Sequence, residues 1–245
     1  MYSKPILAPS EVLHATTLVR QLASHWIRRA PEPVASYTLG AATYLDAVRS
    51  ATIYRNLHEQ TNRLLRTHFD WLYEKLIASL AADWGPMEIH PALACPGFHI
   101  FAAPPGQVIS QAGCRLMEQP IASLHVDAPY RAHMPHWSEF RVVDFLDPLS
   151  ITLCLSLPEH GGGLNMWQEI DRKTWFQGHE MVDCHFNRHE LTSHRYVAYQ
   201  TGHVYVSSGH HIHQIAPAKI MLPHDTRMTL QAHAVKCDGI WRVFF

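Results

Sequence analysis

The chain of 245 residues lacks several features that would assign it to a class at once. No stretch approaches 18 consecutive apolar residues, so no membrane-spanning helix is expected. No run of lysines and arginines occurs, and the formal net charge is -1, which leaves no electrostatic footprint for nucleic acid or an anionic membrane surface. The first ten residues, from Met1 to Ser10, carry no long apolar segment of the kind a secretory signal needs, and a cytoplasmic location is expected. The five cysteines are odd in number, widely spaced and free of any Cys-x-x-Cys, which points to reduced thiols rather than a disulfide framework. Neither His-Glu-x-x-His nor another helical zinc pattern is present. Charged residues are scarce at 17%, so stability should rest on burial. Internal repeats and low-complexity tracts are also missing.

What is present is histidine, 20 of them, dispersed rather than run together. Most must be surface groups or core imidazoles with a backbone partner, so only position and spacing can single out a ligand.

The first third reads as helical. Pro9-Ser-Glu11 offers a helix start before Val12, Leu13, Leu18, Leu22 and Trp26, and Ala30-Pro-Glu-Pro33 stops it. A longer apolar pattern from about Thr52 to Ala82 keeps a spacing of three to four residues until Trp84-Gly-Pro86. From there short β-rich runs alternate with turn residues: 97–101, 122–125, 140–145, 151–157, 203–206, 228–235 and 240–245. The expectation is an α+β chain, a jelly roll buttressed by N-terminal helices. One domain is expected over 1–245, with about 1–85 as helical support and about 86–245 as core. Residues 171–195 read as an insert lying over a pocket mouth.

Three short patterns carry chemistry. In His125-Val-Asp127, residues i and i+2 of a strand share a face, which presents an imidazole and a carboxylate side by side. His213 follows on a returning strand after the turn Ser207-Ser-Gly209, with His211 on the same face as its rival. Two imidazoles and one carboxylate on one face of a metal leave the opposite face open, as in non-haem Fe(II) sites. Arg227-Met-Thr229 adds a guanidinium and a hydroxyl on one strand face, a receptor for a carboxylate.

Together, His-x-Asp, the distant His, and Arg-x-Thr resemble the Fe(II)/2-oxoglutarate-dependent dioxygenase superfamily over roughly Gly97 to Val235. The Gly161-Gly-Gly-Leu164 run, the His-Gln-Ile-Ala-Pro context of His213 and the Thr-Leu-Gln run after the arginine agree with the resemblance and favour His213 over His211. The resemblance implies a double-stranded β-helix and a metal centre of His125, Asp127 and His213. It implies 2-oxoglutarate held by Arg227 and Thr229, with O₂ as second co-substrate. The reaction it implies is hydroxylation of a small molecule (amino acid, small peptide or natural-product intermediate) with release of succinate and CO₂. Retention of Asp127 disfavours halogenation; desaturation and ring formation use the same ligands and stay open. Two other readings stay open as well: a non-catalytic, ligand-binding jelly roll, and a cupin-like site, although His211-Ile-His213 lacks the glutamate that a cupin would place after it. Arg131, His133, His136, Trp137, Trp175, Arg195 and Tyr199 are candidates for the pocket opening. Sequence does not specify an oligomeric state.

Overall fold

The computed structural model describes residues 1–170, 191 and 194–245. The expected insert near 171–195, with Trp175, falls largely outside the described residues.

Fourteen strands occur among the described residues: β1 (Tyr2–Pro5), β2 (Ile27–Arg28), β3 (Ser36–Leu39), β4 (Met87–Ile89), β5 (Gly97–Phe101), β6 (Val143–Ser156), β7 (His160–Gly161), β8 (Leu164–Glu169), β9 (Arg195–Val197), β10 (His203–Ser208), β11 (His211–Ile215), β12 (Ala218–Ile220), β13 (Arg227–Cys237) and β14 (Ile240–Phe244). Nine form one large sheet in the order β1-β10-β6-β13-β5-β3-β2, with β14 on β13 and β4 on β14. Its pairings are antiparallel except β14 with β4. A second sheet runs β11-β8-β9, and β12 pairs with β7. From β6 onward the chain passes from the large sheet to the small pairings, back at β10, out again at β11 and β12, and back at β13. That repeated exchange between two sheets is jelly-roll topology.

The alternation in the central strands explains where the cavity lies. In β13, Met228, Leu230, Ala232 and Ala234 join the main apolar core, while Arg227, Thr229, Gln231 and His233 occupy the alternate positions. In β6, Leu149, Ile151, Leu153 and Leu155 are core, with Ser150 and Thr152 between them. In β5, Phe98 and Ile100 are core, with His99 between them. Both sets are mostly buried. Polar alternation normally marks a solvated face, but here the polar face is turned into the molecule and floors a cavity.

The apolar face is covered by two helices, α1 (Pro9–Gln21) and α2 (Ala51–Trp84). The Glu11 carboxylate accepts from the Ala8 amide at 2.7 Å at the start of α1. Ser50 Oγ accepts from the Ile53 amide to cap α2. Leu65, Phe69, Leu72, Tyr73, Leu76 and Leu80 of α2 recur at helical spacing and are buried in the same core as the sheet. Gly85, at φ 87°, ends α2 where a side chain would be strained.

Three sequence expectations are corrected. The first third is not purely helical: β1, β2 and β3 belong to the large sheet. The separate runs expected at 140–145 and 151–157 fall, from 143 to 156, in the single strand β6, which continues through Pro148. The run expected at 122–125 is no strand, but a loop with an isolated bridge from His125 to His213. No helix among the described residues is long and apolar enough to cross a membrane.

Candidate metal centre and its cavity

The bridge sets the geometry of the candidate centre. The amide of His125 donates to His213 O at 3.1 Å, and the amide of His213 donates back to His125 O at 2.9 Å. Asp127 N donates to Gly209 O at 2.7 Å, which fixes the carboxylate residue two positions on. The ligand atoms of His125, Asp127 and His213 then lie within 4.8 Å of one another. His125 Nε2 is 3.7 Å from Asp127 Oδ1, and His213 Nε2 is 3.5 Å from Asp127 Oδ2.

The donor set fits a metal ion. His125 Nδ1 donates to Ser123 O at 3.0 Å, and His213 Nδ1 donates to His211 O at 2.9 Å. A ring whose Nδ1 carries the hydrogen has its lone pair on Nε2, the atom each ring presents to the carboxylate. Ser150 Oγ donates to Asp127 Oδ2 at 2.6 Å and orients the carboxylate. Burial is the largest influence on Asp127 and would raise its pKa. The imidazoles of His213, His233 and His125 and the Ser150 hydrogen bond outweigh it, and the carboxyl group is held below the usual range.

His211 does not join the cluster. The β11–β8 register shifts between His211 and His213, so strict alternation fails across these two residues. His211 Nε2 lies 3.6 Å from Glu169 Oε1 instead.

The three residues line a cavity of about 350 Å³ between the sheets, and Arg227 and Thr229 line the same cavity. Arg227 is 5% exposed. Its Nε donates to Gly162 O at 2.7 Å, and its guanidinium carbon lies 5.7 Å from the Phe101 ring centre and 5.9 Å from that of Tyr199. No carboxylate among the described residues forms an ion pair with it. Burial lowers its pKa from the ordinary value, with Tyr199 acting in the opposite direction; guanidinium nevertheless stays charged in proteins. A buried cation without a counter-charge is costly, so this end of the cavity is built to receive an anion.

Of the residues proposed for the opening, Tyr199 lines the cavity. His133 and Trp137 are buried elsewhere, near Tyr54 and Phe244, and Arg195 is exposed. Sequence reading missed Ser150, Tyr44, His99 and Arg29. Ser150 had a signal, a hydroxyl at an alternate position of an apolar strand. Tyr44 and His99 had none, since their hydrogen bond joins residues far apart in the chain.

No family model matches the chain, and no curated relative does. Among solved structures, an N-substituted L-amino acid dioxygenase from Burkholderia ambifaria is similar at 14% identity and a TM-score of 0.49, covering 99% of this chain and 85% of its own. A non-haem α-ketoglutarate-dependent epimerase from nogalamycin biosynthesis gives 14% identity and a TM-score of 0.48, covering 94% and 75%. A Pseudomonas putida prolyl-4-hydroxylase gives 14% and 0.38, covering 100% and 92%. Likenesses this distant assign no activity; that has to come from the residues.

Proposed function

We propose that the chain is a non-haem Fe(II)- and 2-oxoglutarate-dependent oxygenase that hydroxylates a C–H bond of a small molecule, with residues 1–245 forming one catalytic domain. One observation carries this reading. A cluster of two imidazoles and a carboxylate shares a buried cavity with an arginine that has no carboxylate partner among the described residues.

His125, Asp127 and His213 would hold the iron, and two neutral rings with one carboxylate leave Fe(II) one net positive charge and an open face. Arg227 would pair with the distal carboxylate of the 2-oxo acid, with the Thr229 hydroxyl as neighbour on the same strand face. Iron bound there supplies O₂ activation coupled to oxidative decarboxylation of 2-oxoglutarate, giving succinate, CO₂ and a hydroxylated product.

The protein's own part is positional. Ser150 fixes the carboxylate, the carbonyls of Ser123 and His211 fix the two ring orientations, and the burial of Arg227 strengthens its attraction for an anion. Asp127 occupies the place a halide would need, which argues against halogenation. Desaturation or ring formation at the same ligands is the second reading, since the ligand set is common to all three outcomes.

The test is anaerobic reconstitution with Fe(II) and 2-oxoglutarate. A weak visible charge-transfer band should appear, followed by succinate on admission of air. Folded, iron-loaded protein giving neither band nor succinate would leave the non-catalytic jelly roll as the better account.

A further inference from the structure

Three charged side chains line the cavity: Arg29, Asp127 and Arg227. Arg29 is already neutralised. Its Nη1 and Nη2 donate to the two carboxylate oxygens of Asp46 at 2.6 and 2.7 Å, and its Nε donates to Thr38 Oγ1 at 2.7 Å. Asp127 belongs to the metal cluster, and Arg227 to the co-substrate in the function proposed above. The histidine beyond the cluster that lines the cavity, His99, is neutral: burial, with Arg227 and Arg29 nearby, pushes its pKa down to about 3. It is hydrogen-bonded to the Tyr44 phenol. Burial likewise holds the Tyr44 phenol well above its usual range, so this pair is an uncharged polar step in the wall. The rest of the wall mixes uncharged polar side chains, such as Gln119 and Gln231, with apolar ones from separate parts of the chain, among them Leu45, Phe101, Ile121 and Met221. Ile121 is 47% exposed, which puts this apolar surface in reach of the outside.

We infer that the substrate enters the cavity as an uncharged molecule, apolar where it meets these side chains, with a hydroxyl, carbonyl or amide group set against the Tyr44–His99 pair. Against the described lining, a free amino acid is a poorer fit than a neutral molecule of similar bulk. Its carboxylate and ammonium would lose their hydration and find no unclaimed charged side chain among the described residues that line the cavity. The inference rests on the proposed function, because it requires Arg227 to be taken by 2-oxoglutarate.

Matched probes test it: 2-naphthol, 2-naphthoate and 2-naphthylmethylammonium, titrated anaerobically into protein loaded with Fe(II) and saturating 2-oxoglutarate. Binding is read from line broadening of the probe protons. The expected result is 2-naphthol binding at least tenfold more tightly than either charged analogue. Tyr44→Phe should weaken 2-naphthol several-fold while leaving the 2-oxoglutarate charge-transfer band unchanged. Without 2-oxoglutarate, 2-naphthoate should bind at Arg227, and 2-oxoglutarate should displace it. A charged probe binding as tightly as 2-naphthol beside an intact band, or no measurable binding of 2-naphthol, overturns the substrate inference alone. Loss of both band and displacement overturns the co-substrate reading and the exclusion of anions with it.

Discussion

At the scale of the residue, each cluster member is held by a group that a ligand count would overlook. The Ser150 hydroxyl is such a group, bound to the carboxylate oxygen nearer His213. Ser150→Ala should keep the fold yet weaken Fe(II) binding by about 10-fold, the lower end for loss of a group that orients a ligand; competition with a chelating dye measures it. Arg227 offers a sharper case. Its Nε is engaged by Gly162 O, which sets the plane of the fork. Arg227→Lys keeps the charge and loses that planar geometry, so the dissociation constant of 2-oxoglutarate should rise about tenfold, ~1.4 kcal/mol. Titration of the charge-transfer band reads this directly, and an unchanged constant removes Arg227 from the role.

At the scale of the element, two local features matter, one at the centre and one in the core. One is the register shift in β11, which separates His213 from His211. His213→Ala should abolish tight metal binding, whereas His211→Ala should leave metal affinity within about threefold, because a partner outside the ligand set falls at or below the smallest effects expected of orienting groups. Equal losses in both variants would show that the shift does not select between them. The other is Gly97 in β5, whose missing side chain makes room for the buried Phe245 ring. A Cβ built there would come within 2.2 Å of that ring. Gly97→Ala should destabilise the protein by about 1–3 kcal/mol through overpacking, seen as a lowered urea midpoint. The helices were legible because α2 repeats its apolar residues at helical spacing. The short strands β2 and β3 were not, because two to four residues give too little periodicity.

At the scale of the whole molecule, pH should act through buried neutral histidines. Burial pushes the pKa of both His99 and His133 down to about 3, helped by the arginines in the first case and by His136 in the second. An unfolded histidine titrates near 6.5, so between about pH 6.5 and 3 the unfolded chain binds the extra protons. Stability is therefore fully present above about 6.5 and falls as the pH drops, by roughly 1.4 kcal/mol per pH unit for each such histidine in that window. Denaturant midpoints of the metal-free protein from pH 7 to 4 check the slope, and His133→Gln should reduce it by about one proton's worth. A midpoint independent of pH across that range contradicts the burial of neutral rings.

By itself the sequence determined the kinds of element and the ligand types. Helical and strand periodicities are local, and His125, Asp127, His213 and Arg227 stand in short patterns that can be read without a partner. The sequence context favoured His213 over His211, but the geometric reason came only with the tertiary structure, because a register shift between paired strands leaves no mark in either strand alone. Only the tertiary structure showed that the polar face of β13 looks inward, since alternation is the same whether water or a cavity lies on that side. The pairings of Arg29 with Asp46 and Tyr44 with His99 likewise depend on chain reversals that bring remote residues together. Those pairings neutralise Arg29 and leave the Tyr44–His99 pair as an uncharged polar step in the cavity wall.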